Sequence, residues 1–154
     1  MIINFRAGSK KKRELVESII EFSADMLMPR LKDKLEITVE FVTGLLKRDD
    51  IYGDCIWEDD SQRPKEFTIR IDAGMPLRTM LTTVAHEMVH VKQYARSELK
   101  QLGQKRFRFK QSYVSNKMDY WDLPWEIEAH GREIGLFVRW AERNGHSSKK
   151  WAQE

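Results

Sequence analysis

Cysteine is nearly missing from this chain: Cys55 stands alone, so no internal disulfide can form and a cysteine-ligated zinc knuckle is excluded. A reducing compartment fits that usage. Long apolar runs are missing as well, since no stretch approaches the roughly 20 residues of a membrane span. The opening Met1-Ile2-Ile3-Asn4-Phe5-Arg6 also lacks the apolar core of a secretory signal. Together these absences predict a cytoplasmic protein with no membrane partner. Histidine is scarce, with four in 154 residues, so any place where two fall close together carries weight.

What is present reads as one globular domain spanning 1–154. The composition, 41% hydrophobic and 33% charged, is enough for a core and too charged for a membrane protein. The net charge of +3 is a mild positive excess. Basic residues cluster at Lys10 to Arg13 and again at Lys105, Arg106, Arg108 and Lys110, where Phe107 and Phe109 alternate with them. Such interleaving can neutralise phosphates and stack bases, which makes the second cluster a candidate nucleic-acid surface; solvated surface charge is the plainer explanation.

Two histidines do fall together, in Thr83-Val84-Ala85-His86-Glu87-Met88-Val89-His90. Residues four apart share one face of a helix, so both imidazoles of this H-E-x-x-H pattern can reach one metal ion. In the metallopeptidase reading, His86 and His90 hold Zn²⁺ and Glu87 is the general base that takes a proton from the activated water. The alternative is two solvent-facing histidines on an ordinary helix. Against it, Leu77, Leu81, Val84, Met88, Val91 and Ala95 recur at helical spacing, which anchors this helix in the core beside the histidines.

The rest of the chain predicts an α+β fold. An N-terminal helix runs from Ser9 to about Met28, with Ser9 as N-cap and Pro29 as stop. Three short strands follow at Ile37–Val42, Tyr52–Trp57 and Glu66–Asp72, expected to form a mostly antiparallel three-stranded sheet. Pro76 opens the metal helix and Leu102-Gly103 is expected to close it. Residues 104–123 show no period and are expected to be a long loop. A last long helix runs from Glu126 to about Asn144 with Ile127, Ile134, Val138 and Ala141 as its apolar stripe. Gly131 and Gly135 inside it each cost about 1 kcal/mol against alanine, so close approach of the metal helix is expected there. Residues 146–154 read as a polar tail.

Catalytic zinc commonly takes three protein ligands, so a third must come from elsewhere. His130, His146, Glu126, Glu128 and Glu133 have suitable chemistry. Glu126 and His130 share a helix face from which Glu128 is rotated away.

The H-E-x-x-H helix followed by Pro124-Trp125-Glu126-Ile127-Glu128-Ala129 resembles the zincin metallopeptidases whose third ligand is a glutamate, the gluzincins, and more narrowly the small SprT-like metallopeptidases of phages and bacteria. The resemblance implies a zincin-like single domain, a Zn²⁺ cofactor, a peptide or protein substrate and, for a phage-encoded chain, the host cytoplasm. In gluzincins a small residue follows the ligand glutamate at the third position; Ala129 matches it, which selects Glu126. It also makes Glu66–Asp72 the expected edge to which an extended peptide adds. His130 stands where thermolysin-like members carry an aspartate that orients a ligand histidine, and SprT-type proteins generally use a histidine as third ligand. His130 is therefore a supporting partner or an alternative ligand with Glu126 behind it. Tyr113, Tyr120, Arg132 and His146 are candidate oxyanion donors. The competing functions are a nucleic-acid-associated protein acting on DNA-bound proteins and a non-catalytic zinc-binding interaction module. A purely structural site has no evident use for Glu87.

Overall fold

The computed structural model describes residues 1–104, 106–115 and 117–154, arranged as an α+β fold. Its main sheet takes strands β1 (Ile2–Arg6), β2 (Glu36–Val42), β3 (Gly53–Trp57) and β4 (Glu66–Asp72) in the order β1-β2-β4-β3. The sheet is four-stranded and mixed, which corrects the expected three-stranded, mostly antiparallel arrangement. β1, β2 and β4 run parallel, and only β3 is antiparallel to β4. The extra strand is the chain start, where Ile3 and Phe5 turn towards the core while Ile2, Asn4 and Arg6 face out. A helix separates it from β2, and a strand-helix-strand crossover makes a parallel pair.

That helix, α1 (Lys10–Leu27), begins at Ser9, whose hydroxyl accepts from the Lys12 amide, and stops before Pro29. It buries Val16, Ile19 and Ile20 in one cluster with Ile37 and Val39 of β2 and Ile69 and Ile71 of β4. Each such side chain, fully buried, contributes about 1.5–3 kcal/mol. The short helix α2 (Leu45–Asp49) is capped from outside its own segment: Oδ2 of Asp72 accepts the Leu46 amide at 2.9 Å.

Helix α3 (Leu77–Ala95) carries the H-E-x-x-H residues and is buried along most of its length, from Val84 to Gln93. It ends well before Leu102-Gly103. Ser97 takes φ +58° and the amides of Ser97 and Glu98 return to Tyr94 and Gln93, so a serine makes the left-handed turn usually marked by glycine. Beyond it the expected loop 104–123 is largely structured: β5 (Leu99–Gln101), β6 (Arg106–Phe109) and β7 (Ser112–Ser115) form a second, antiparallel sheet. Leu99, Phe109 and Val114 pack on Trp125, which explains aromatics that no simple period could place.

Helix α4 (Pro124–Arg143) starts at Pro124 and is followed by Gly145 at φ +69°. Its buried face is not the predicted one. Ile127, Ile134 and Val138 are 57%, 49% and 40% exposed, and the face towards the core is Trp125, Glu126, Ala129, Leu136, Phe137, Trp140 and Ala141. Two tryptophans and a phenylalanine outweigh the three aliphatics in buried area. The glycine expectation also fails: nothing beyond its own stretch of helix lies within 4 Å of a Cβ built at Gly131, and Gly135 meets only the Arg139 side chain of its own helix. The tail is not simply polar, because α5 (Lys150–Gln153) buries Ala152 and Trp151 faces Trp140 and His146. Among the described residues no helix is long and apolar enough to cross a membrane.

Candidate metal centre

α3 sets His86, Glu87 and His90 on a rigid helix, and α4 brings Glu126 across from them. All four side chains are buried. Nε2 of His86 lies 3.1 Å from Nε2 of His90, and the Glu126 carboxylate oxygens lie 3.3 Å and 3.5 Å from those two nitrogens. The ring nitrogens on the other side are engaged separately. Nδ1 of His86 is 2.7 Å from Oε2 of Glu133, and Nδ1 of His90 is 2.8 Å from Oε1 of Gln93. Those two partners accept hydrogen bonds, which places N–H on both Nδ1 atoms, so each ring in its neutral form turns its lone pair on Nε2 towards the other and towards Glu126. Two lone pairs and a carboxylate facing one another inside a protein repel unless a proton or a cation joins them. Two imidazoles and a carboxylate oxygen are a donor set that zinc accepts, so the residues present fit the ion.

The ionisation pattern follows from these contacts. Burial opposes charge on His86, but the Glu126 and Glu133 carboxylates outweigh it and hold its pKa up at about 10. Burial likewise acts against the Glu126 carboxylate, yet hydrogen bonds from His86, His90 and Tyr120 hold it well below the ordinary range. Glu87 has no such donors. Burial raises it to about 7, although the charges of His90 and His86 pull the other way. A carboxylate near 7 is matched to taking up and releasing a proton at neutral pH.

His130 stands beside the trio of His86, His90 and Glu126. Its ring centroid is 4.6 Å from that of His86, its Nδ1 is 3.3 Å from the same Glu133 oxygen, and its Nε2 is 3.1 Å from the Tyr120 hydroxyl. With His86 and Glu133 it forms a second group able to hold a metal ion, which leaves out His90 and Glu126. The other candidates lie elsewhere. Glu128 faces Lys92 and Gln93, with Nζ of Lys92 at 2.7 Å from it, and His146 packs between Trp140 and Trp151. Tyr113 points outward on β7, and Arg132 lies 3.4 Å from Glu128.

A cleft of about 750 Å³ opens onto His86 and Glu87. Tyr52 and Gly53, at the start of β3, line one side of it, and Tyr120, Trp121, His130 and Ile134 line another. β4 does not offer the edge that the sequence led us to expect, because it is paired on both sides; the edge strands are β1 and β3, and β3 is the one beside the cleft. Chain order misled here, since β3 folds back outside β4 through the hairpin 58–65.

The basic cluster is away from the cleft. Lys105 lies outside the described residues. Arg106 and Arg108 project from β6 on the face they share, by strand register, with Lys100 and Tyr113, and Lys110 lies over the Phe109 ring at the turn. Sequence reasoning passed over Gln93 and did not assign Glu133 or Tyr120 their places. Two signals existed: Gln93 is three residues beyond His90, and Glu133 is seven beyond Glu126, on the same helix face. No family model, curated protein or solved structure matches this chain.

Proposed function

We propose that this protein hydrolyses peptide bonds with a zinc ion held by His86, His90 and Glu126, on a zincin-like arrangement. The observation that carries the reading is the convergence of two Nε2 atoms and the Glu126 carboxylate, within 3.1–3.5 Å of one another, beside the cleft that Glu87 lines. When bound, zinc supplies a Lewis acid that makes water a nucleophile near neutral pH and polarises a carbonyl. The protein's own residues do the rest. Glu133 and Gln93 fix the ring orientations of the two histidines. Glu87 accepts the proton of the attacking water at its carboxylate and delivers it to the leaving amine. The free edge of β3 can pair with an extended peptide, whose backbone groups would hydrogen-bond along it and run past Glu87.

The test is metal analysis with a peptidase assay on the wild type beside Glu87→Gln. The variant should keep about one zinc per chain and lose hydrolysis. Activity in the variant would remove Glu87 as the base, and absence of zinc from both proteins after purification without chelators would remove the metal centre.

The outer face of the second sheet supports a separate reading, nucleic-acid binding. Lys100, Arg106 and Arg108 share it with Tyr113, which is 71% exposed, a ring on which a base could stack. Anisotropy of a labelled single-stranded oligonucleotide over a salt series tests it; affinity that ignores salt, or survives Arg106→Ala with Arg108→Ala, ends it.

A further inference from the structure

We infer that Gln93, braced by Glu128, decides which nitrogen of His90 is open to a cation, so that these two are positioning residues of the metal centre. The inference rests on the zinc reading above.

A glutamine amide can be placed either way round, and here its neighbours settle the choice. Nε2 of Gln93 lies 3.0 Å from the Trp125 carbonyl oxygen and 3.0 Å from Oε2 of Glu128. Both of those only accept, so the NH₂ group must face them and Oε1 must face His90. Oε1 can only accept in turn, at 2.8 Å, which fixes the hydrogen on Nδ1 of His90 and, in the neutral ring, the lone pair on its Nε2. Gln93 is fully buried, so bulk solvent does not reach this bond.

Glu128 is itself held. Nζ of the buried Lys92 lies 2.7 Å from it and 2.6 Å from Glu98, and Arg132 lies 3.4 Å away. The arrangement puts a carboxylate one residue behind the histidine, ion-paired with Lys92, with a neutral amide in direct contact. His86 differs, since its partner Glu133 is a carboxylate shared with His130. Gln93 belongs to α3, whereas Trp125 and Glu128 belong to α4. The same bonds therefore set the position of Glu126 relative to His90.

The experiment is zinc affinity by chelator competition on the full chain, comparing wild type, Gln93→Met and Gln93→Glu, with the thermal midpoint of each protein measured without metal. Gln93→Met removes the acceptor and should weaken zinc about 10- to 100-fold. Gln93→Glu keeps an acceptor for Nδ1 but sets a second carboxylate against Glu128, so it should lower the midpoint while holding zinc at close to wild-type affinity. Affinity unchanged in Gln93→Met, or lost equally in both variants, overturns the inference. Wild type that binds no zinc overturns the zinc reading and this inference with it. Should Gln93→Met fail to fold, histidine ¹⁵N resonances of the zinc-loaded wild type decide: hydrogen on Nδ1 of His90 is the expected result, and hydrogen on Nε2 overturns it.

Discussion

The hydroxyl of Tyr120 donates to Oε2 of Glu126 at 2.8 Å, the oxygen that also faces Nε2 of His86. Burial, with the Glu126 carboxylate beside it, raises this phenol above its ordinary pKa, so it remains a protonated donor across the neutral range. On the zinc reading, ligation by Glu126 would weaken its claim on that hydroxyl, and the ring lines the same cleft as Glu87. On the peptidase reading Tyr120 is the donor best placed for a developing oxyanion. Tyr120→Phe should lower kcat by about 10²–10³ and leave KM and bound zinc nearly unchanged, as steady-state kinetics with metal analysis would reveal.

Glu133 and His130 can be separated by their effects on metal. Glu133 orients His86 directly, so Glu133→Ala should weaken zinc about 10- to 100-fold in a competition titration. His130 touches the shared Glu133 oxygen but stands outside the trio with His90 and Glu126. His130→Ala should bind zinc nearly as wild type. Loss as complete as in His90→Ala would make His130 a ligand instead.

Glycines give opposite predictions at two positions. A Cβ at Gly53 would lie 2.8 Å from the Arg70 carbonyl oxygen and 2.8 Å from Thr83 Cγ2, because β3 passes close to both β4 and α3. Gly53→Ala should cost about 1–3 kcal/mol in denaturant unfolding. Gly131 sits in open space on α4, and Gly131→Ala should add about 0.5–1 kcal/mol by the same measurement.

Asp72 links acid stability to the cap of α2. Amides of Leu46 and Gly74 donate to its carboxylate and hold its pKa below the usual carboxylate range. A depressed folded pKa gives stability that is present above the unfolded value and is lost as pH falls through the folded one. Asp72→Ala should cost about 1–2 kcal/mol at pH 7. The gap between wild type and variant should narrow below about pH 4, as urea melts across pH would show.

The α+β class, the two long helices around the candidate site and the entry of α3 at Pro76 were legible because capping residues and the helical stripe of α3 are local signals. His86, Glu87 and His90 were legible for the same reason, lying within one and a half turns. Other features depend on what the chain meets at a distance. The parallel pairing of β1 with β2 needs the Ile3 and Phe5 alternation to be read as a strand, and five residues make a weak period. The edge position of β3 depends on which side of β4 the hairpin falls. On α4, Ile127, Ile134 and Val138 form as good a helical stripe as Leu136, Phe137 and Trp140 do, and only packing against the rest of the fold chooses the aromatic side. Gln93 carries no motif, and its place in the site emerges only once α4 is docked.

The burial of α3 on nearly every side has a kinetic side too. The backbone amides from Val84 to Val91 sit in a helix that cannot fray without opening the main core, so their hydrogen exchange should require global unfolding. The lifetime of the two-histidine geometry is then the lifetime of the fold itself. Local opening beside the site is left to the exposed side chains of Tyr120 and Trp121.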